Sequence, residues 1–78
     1  MSVTAYVLIQ TEVGRAEKVA TAARAIPGVV DSDNVAGPYD GIVKAEAGTL
    51  DELGKLVVSE IQKVDGITRT FTCPIVNL

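Results

Sequence analysis

The sequence predicts one α+β domain with the element order βαββαβ, and three observations lead to this prediction. Four short stretches alternate apolar and polar residues with the period of a β-strand. Between them lie two stretches whose apolar residues recur at helical spacing. Each helical stretch ends at a glycine followed by an apolar residue, Gly28-Val29 in the first case and Gly66-Ile67 in the second. This weak internal repeat divides the chain into two successive βαβ units.

The composition allows one small domain and argues against several functional classes. The chain has 78 residues, of which 47% are hydrophobic, and a formal net charge of −3. This length supports a single domain spanning residues 1–78. Nucleic-acid-binding modules normally present a basic face, whereas the Lys and Arg residues here are dispersed, so direct nucleic-acid binding is not expected. No apolar run approaches the ~20 residues of a membrane span and no leader pattern precedes the first strand, so a cytoplasmic protein is expected.

Metal and disulfide chemistry are also not expected. The sequence has no His and a single Cys, Cys73, so neither a zinc site within one subunit nor an intrachain disulfide is predicted. Asp31, Asp33 and Asn34 resemble part of a calcium-binding EF-hand loop. The Gly and Glu that such a loop requires do not follow at the right offsets. No metal and no cofactor are therefore predicted.

The first half of the chain reads as strand, helix and strand. Residues 3–10 alternate between two faces that both carry apolar side chains, which is typical of a central strand. A helix is expected from about Arg15 to Ala25, because Pro27 disfavours the α conformation in the residue before it. Residues 29–36 form the second strand. Since Asp and Asn are depleted in strands and charges protect sheet edges, this strand is predicted at an edge, with short or bulged pairing.

A Gly-Pro turn joins the two halves and opens into the third strand. Pro38 fixes its own φ at about −65°, and Gly37 and Gly41 allow conformations that a Cβ would forbid. The Asp40 carboxylate can bond nearby backbone N–H groups. Residues 42–47 then alternate as a half-buried strand does.

The second helix begins near Thr49. Thr49 followed by Glu52 is a capping-box pattern. Gly54 weakens the helix, and we expect it to allow close packing against the sheet or a neighbour. The apolar residues expected to form the buried stripe are Leu50, Leu53, Val57, Ile61 and Val64.

The last strand is expected from Ile67 to about Val76. Pro74 removes a hydrogen-bond donor, which favours an edge position. One face carries only threonines, and the alternate positions carry Arg69, Phe71, Cys73 and Ile75. Right-handed crossovers then give an antiparallel ferredoxin-like sheet of order 4-1-3-2 with two helices on one face.

Three segments of the chain resemble the ligand-binding domain of the Lrp/AsnC family, also called the RAM domain. They are residues 26–29 (Ile-Pro-Gly-Val), residues 37–40 (Gly-Pro-Tyr-Asp) and residues 66–72 (Gly-Ile-Thr-Arg-Thr-Phe-Thr). Residues 37–40 are similar to the family's G-x-[Tyr/Phe]-Asp turn, and residues 66–72 are similar to its Gly-Val-x-x-Thr-x-Thr strand. Gly41 departs from the family, which often has a bulkier residue there. The family's N-terminal helix-turn-helix is not found here either, so a stand-alone effector-binding domain is expected.

The resemblance implies a partner and a site. In this family two sheets pack face to face into a dimeric α+β barrel, and dimers can assemble into rings. The effectors are small, typically amino acids, and bind near the turn and the threonine strand at subunit junctions. The implied partners are therefore a second copy of the chain, an amino-acid-like effector and a full-length Lrp/AsnC regulator. The implied ligand-binding residues are Gly37, Tyr39, Asp40, Thr70 and Thr72.

Other functions stay open on the sequence. A small enzyme of the dimeric α+β barrel group needs general acid–base groups or a cofactor, and without His only carboxylates, Tyr or Lys could serve. A purely structural oligomerisation module needs no ligand, and unrelated ferredoxin-like modules such as ACT domains also bind amino acids. The leading prediction is a non-enzymatic regulatory domain that binds an amino-acid-like effector.

Overall fold

Residues 2–76, which the computed structural model describes, form four strands and two helices in the predicted order. The strands are β1 (Val3–Thr11), β2 (Val29–Asn34), β3 (Gly41–Ala47) and β4 (Ile67–Pro74). The helices are α1 (Ala16–Arg24) and α2 (Leu50–Leu56), and α2 continues as a π-helical segment, Val57–Ile61. None of the helices in this part of the chain is long and apolar enough to cross a membrane.

The strands form one antiparallel sheet in the order β2-β3-β1-β4, which is the predicted order read from the opposite edge. β1 lies in the interior of the sheet, between β3 and β4. β2 lies at an edge, and its pairing with β3 shifts register between Val29 and Asp31. The predicted edge position and bulge of β2 are therefore confirmed.

Both helices cover the same face of the sheet and enclose the core. Every second side chain of β1 and β3 is buried, as the period of a strand requires. Burial of each large aliphatic side chain such as Ile9 or Leu53 contributes about 1.5–3 kcal/mol. The core consists of Ala5, Val7, Ile9, Val19, Ala23, Val43, Ala45, Leu53, Val57 and Ile61.

One buried polar side chain in residues 2–76 ties β2 to α1. Ser32 is 1% exposed, and its hydroxyl donates a 3.0 Å hydrogen bond to the carbonyl oxygen of Ala20. The Arg24 guanidinium donates in turn to the backbone oxygen of Ser32. This polar strand therefore keeps a fixed position on the helix without an apolar side chain at its centre.

The start of α2 confirms the Thr49 cap, which is one of the two hydrogen bonds of a capping box, and corrects the buried stripe. The Thr49 hydroxyl accepts a 3.1 Å hydrogen bond from the backbone N–H of Glu52. Leu50, which was expected in the stripe, is 61% exposed. Along α2 and its π-helical continuation the buried residues are spaced four apart, at Leu53, Val57 and Ile61. Leu50 lies only three residues before Leu53 and therefore falls outside this stripe.

Close packing of a glycine occurs at Gly28 rather than at Gly54. A Cβ at Gly54 would meet no atom of the described structure within 4 Å, so the expected close approach to the sheet is wrong, while packing of Gly54 against a neighbouring molecule stays a prediction. Gly28 has a φ of +99°, and a Cβ there would lie 2.8 Å from Cδ2 of Leu56. The exit of α1 therefore needs glycine both for its backbone conformation and for its contact with α2.

Two strands end earlier than predicted. β2 ends at Asn34 rather than at Ala36 because the chain then enters the turn to β3. β4 ends at Pro74, although the N–H of Ile75 still donates a 2.9 Å hydrogen bond to the backbone oxygen of Thr4.

Candidate functional site

The face of the sheet opposite the helices carries a row of apolar side chains and is not covered by any other segment within residues 2–76. Pairing places Leu8 of β1 between Ile42 of β3 and Phe71 of β4 on this open face. Tyr6 is 40% exposed and Phe71 is 43% exposed, while Leu8 and Ile42 are half-buried. β1 thus carries apolar side chains on both faces, as predicted. The side chains on the face opposite the helices point away from the core.

The turn between β2 and β3 is fixed at its base and open at its tip. The N–H of Val35 donates to the carbonyl oxygen of Asp40 at 3.0 Å, and the N–H of Asp40 donates to that of Ile9 at 2.9 Å. The side-chain amide of Gln10 donates to the carbonyl oxygen of Pro38 at 2.9 Å. Gly37 has a φ of +136°, which favours glycine, and a Cβ there would meet no described atom within 4 Å. The Gly37–Asp40 turn is therefore anchored to β1 while its tip is free to meet another molecule.

The Asp40 carboxylate stabilises the base of this turn. Its Oδ2 accepts hydrogen bonds from the backbone N–H of Thr11 at 2.8 Å and from the Thr11 hydroxyl at 3.3 Å. These bonds close the end of the β1–β3 ladder, which extends only to the pair of Ile9 and Gly41. Within residues 2–76 the other oxygen, Oδ1, makes no such bond. Oδ2 of this half-buried carboxylate is thus structural, and Oδ1 has a free hydrogen-bonding capacity within the described residues.

Aromatic contacts connect the turn to β4. The rings of Tyr39 and Phe71 meet edge to face, with 5.6 Å between their centroids. The guanidinium carbon of Arg69 lies 5.9 Å from the centroid of Phe71, within the range of a cation–π contact. The turn is therefore bordered on the β4 side by an aromatic pair and a cation.

Thr70 and Thr72 lie on the helix side of the sheet, away from this aromatic pair. Thr70 pairs with Ile9 and Thr72 pairs with Val7, and directly paired residues of antiparallel strands point to the same face. The Thr70 hydroxyl accepts a 2.9 Å hydrogen bond from the Gln62 side chain. It borders a shallow cavity of about 330 Å³ that is also lined by Gln62, Ile67, Thr68 and Arg69.

Within one chain the five predicted site residues therefore do not form one pocket. The structure brings Gly37, Tyr39 and Asp40 together in the turn, and the Tyr39 ring meets Phe71 on the face of the sheet opposite the two threonines. The sequence-based prediction missed Phe71 as the side chain that contacts the turn. The alternation of β4 contained that signal, because Phe71 occupies the face opposite the threonines.

Acidic residues do not assemble into a metal site in the described part of the chain, where no group of three or more His, Cys, Asp or Glu side chains could hold an ion. The Asp31 carboxylate instead accepts a 3.0 Å hydrogen bond from the N–H of Ser32.

Comparison with known proteins identifies a family. The family model for the Lrp/AsnC ligand binding domain matches residues 4–77. The chain is 35% identical over 75 residues to an uncharacterized HTH-type transcriptional regulator, PF0250, from Pyrococcus furiosus, covering 92% of this chain and 50% of that protein. The chain thus spans about half the length of the curated relatives that it matches.

Solved structures agree with this assignment. The hypothetical protein PHS023 from Pyrococcus horikoshii superposes with a TM-score of 0.88 at 34% identity, over 97% of this chain and 92% of that one. A transcriptional regulator from Neisseria meningitidis, solved as a complex with L-Met, shares the fold with a TM-score of 0.83 at 14% identity, over 96% of this chain and 50% of that one. From the sequence match, the fold and the order of its elements, we conclude that the chain belongs to the Lrp/AsnC ligand-binding domain family.

Proposed function

We propose that this chain is a non-enzymatic regulatory domain that binds a small amino-acid-like effector and acts as a homo-oligomer. Membership of the Lrp/AsnC ligand-binding domain family supports the regulatory role. The observation that carries the proposal is the Gly37–Asp40 turn, which is fixed at its base, open at its tip and bordered by aromatic rings. A rigid turn with exposed polar groups can bind a small ligand without the cost of ordering a loop.

The chemistry of the turn suits a zwitterion. The carboxylate of an amino acid needs hydrogen-bond donors, and backbone N–H groups of a glycine-containing turn are suitable ones. Its ammonium group needs acceptors, and Oδ1 of Asp40 is an acceptor whose companion oxygen already fixes the position of the carboxylate. A hydrogen bond to a charged group contributes about 1.5–3 kcal/mol. The Tyr39 ring supplies an apolar wall for the effector's side chain.

Thr70 and Thr72 join this site only if a second copy supplies them. In one chain they lie on the face of the sheet opposite to Phe71, which contacts Tyr39. We therefore propose that the site lies at a junction between copies, with the turn from one copy and the threonines from another. The open face separately supports dimerisation, since contiguous exposed apolar surface marks interaction sites. Because the threonines lie on the other side of the sheet, the proposed shared site belongs to a second contact, between dimers.

The effector can be sought with a thermal-shift screen of the twenty amino acids, with L-Met as the first probe because a regulator of the same fold was solved with it. A ligand at 100 times its Kd stabilises the native state by about 2.7 kcal/mol. For a domain of this size that corresponds to a rise in Tm of roughly 10–20 °C. If no amino acid at millimolar concentration raises the Tm, the effector proposal is wrong and a structural oligomerisation module takes its place.

The Asp40→Asn variant then tests whether the hit binds at the turn. The substitution removes the charge while keeping an acceptor for the Thr11 N–H, so we expect calorimetry to give a Kd at least ~10-fold weaker. Glu60→Gln is the matched control, because it removes a carboxylate from an exposed position on the helix layer. Equal affinities of both variants and the wild type would place the effector elsewhere.

A further inference from the structure

Arg69 is a cation beside the turn that has no ionic partner in the described part of the chain. Its side chain is exposed, and the one ion pair found among residues 2–76 lies elsewhere. The guanidinium carbon lies over the Phe71 ring, 5.9 Å from the centroid. Contact with an aromatic ring holds a guanidinium in place while the N–H donors at its rim stay free. Arg69 therefore presents a positive charge that is positioned but not neutralised.

The pairing of β1 with β4 places this charge next to the turn. Arg69 lies directly opposite Gln10, and side chains paired in this way have their Cβ atoms about 5 Å apart. The Gln10 side chain donates to Pro38 in the turn, and the next residue, Thr11, donates to the Asp40 carboxylate. Asp40 and Arg69 are thus both neighbours of one short segment of β1, and they form no ion pair with each other.

We propose that the effector carries a second carboxylate on its side chain and that Arg69 binds this carboxylate, so that the effector is an acidic amino acid. This inference rests on the proposed function, in which the turn binds the ammonium group and the α-carboxylate of the effector. It adds the contact that recognises the side chain and thereby the specificity of the site.

The groups around the turn then match each group of an acidic amino acid. Oδ1 of Asp40 accepts from the ammonium group, and the backbone N–H groups of the turn donate to the α-carboxylate. The rings of Tyr39 and Phe71 border the methylene groups of the side chain, and Arg69 lies beyond Phe71. The planar fork of an arginine binds a carboxylate through two parallel hydrogen bonds, which are stronger than those between neutral groups.

The charge of the whole chain and the place of Arg69 in the sheet support this assignment. The formal net charge is −3, so an anionic effector is repelled by the chain unless a local cation offsets the repulsion. Arg69 lies near the start of β4, an edge strand, at the end of the sheet where β1 contacts the turn. A small molecule beside the turn can therefore reach it from the solvent beyond the sheet edge.

Calorimetry with paired amino acids tests this contact. L-Glu and L-Gln differ in the charge of the side chain and share the ammonium group and the α-carboxylate, as do L-Asp and L-Asn. We expect the wild type to bind the acidic member of one pair at least ~10-fold more tightly than its amide, and more tightly than L-Met. Arg69→Gln should abolish this preference while the Kd of the amide stays within about twofold of its wild-type value.

Two further variants separate the charge at position 69 from other effects of the substitution. Arg69→Lys keeps a positive charge there and should keep most of the preference for the acidic amino acid. Lys18→Gln removes a positive charge from an exposed position of α1 and should keep the whole preference.

The outcomes distinguish this inference from the proposed function. If the wild type binds the acidic amino acid no better than its amide, the inference is wrong. If Arg69→Gln weakens both members of a pair equally, Arg69 acts on a group that they share, and the side-chain contact is again wrong. In both cases binding of an amino acid stands, and the proposed function with it. If no amino acid binds the wild type, the proposed function itself fails.

Discussion

The Asp40 carboxylate offers a sharp test of how the turn is built. Its Oδ2 is the shared acceptor for the N–H and the hydroxyl of Thr11, at 2.8 and 3.3 Å. Asp40→Ala removes both bonds and leaves a donor without a partner at a half-buried position. A hydrogen bond to a charged acceptor contributes about 1.5–3 kcal/mol, so we expect a loss of about 2 kcal/mol in the free energy of unfolding. This corresponds to a fall in Tm of roughly 8–16 °C.

Three variants separate the parts of this contribution. Asp40→Asn keeps an acceptor and should cost about 1 kcal/mol, the difference between charged and neutral hydrogen bonds. Thr11→Val removes only the longer bond and should cost less than Asp40→Ala. Urea denaturation of the apo protein measures all three free energies, and an unchanged m-value shows that the denatured state is not altered. An Asp40→Ala variant as stable as the wild type would refute the structural role of this carboxylate.

Three further predictions follow from the packing and the charge. Gly28→Ala should destabilise the protein by more than about 1 kcal/mol, since Gly28 has a φ of +99° and its Cβ would collide with Leu56. Gly54→Ala should instead stabilise it by about 0.5–1 kcal/mol, because no described atom lies near that site. Thermal melts of the two variants measure both changes, and equal Tm values would contradict the difference. Ser32→Ala removes the buried hydrogen bond to the carbonyl of Ala20, which keeps its bond within α1, and should cost about 0.5–1.5 kcal/mol in urea denaturation; a neutral result would contradict a stabilising role of this hydrogen bond. Gel shift with random duplex DNA at physiological salt should show no complex with this chain, whose net charge is −3; a salt-sensitive shift would contradict the charge argument.

Local signals predicted most of the fold. Strand alternation, the Thr49 cap and the polar character of β2 each depend on neighbouring residues, and the structure confirms the elements, the edge position and the bulge that they indicated. The sheet order followed because two βαβ units with right-handed crossovers leave few alternatives.

Long-range contacts account for what the sequence could not predict. Glycine is required at Gly28 and not at Gly54, because Leu56 packs against the first and no described residue packs against the second. The contact between residues 28 and 56 cannot be predicted from the local sequence around either of them. Likewise, alternation assigned the threonines and Phe71 of β4 to opposite faces but did not tell which face the helices cover. The pairing of Thr70 with the buried Ile9 decides this, and it separates the threonines from the turn within one chain.

The most direct test of the proposed function is an NMR titration of the ¹⁵N-labelled protein with the amino acid that most raises its Tm. We expect saturable amide shifts concentrated in residues 37–41 and in residues 70–72, because the turn of one copy and the threonines of another form the site. Shifts confined to the outer face of α1, or to one of the two segments alone, would contradict a site shared between copies. The absence of any saturable shift would contradict effector binding itself.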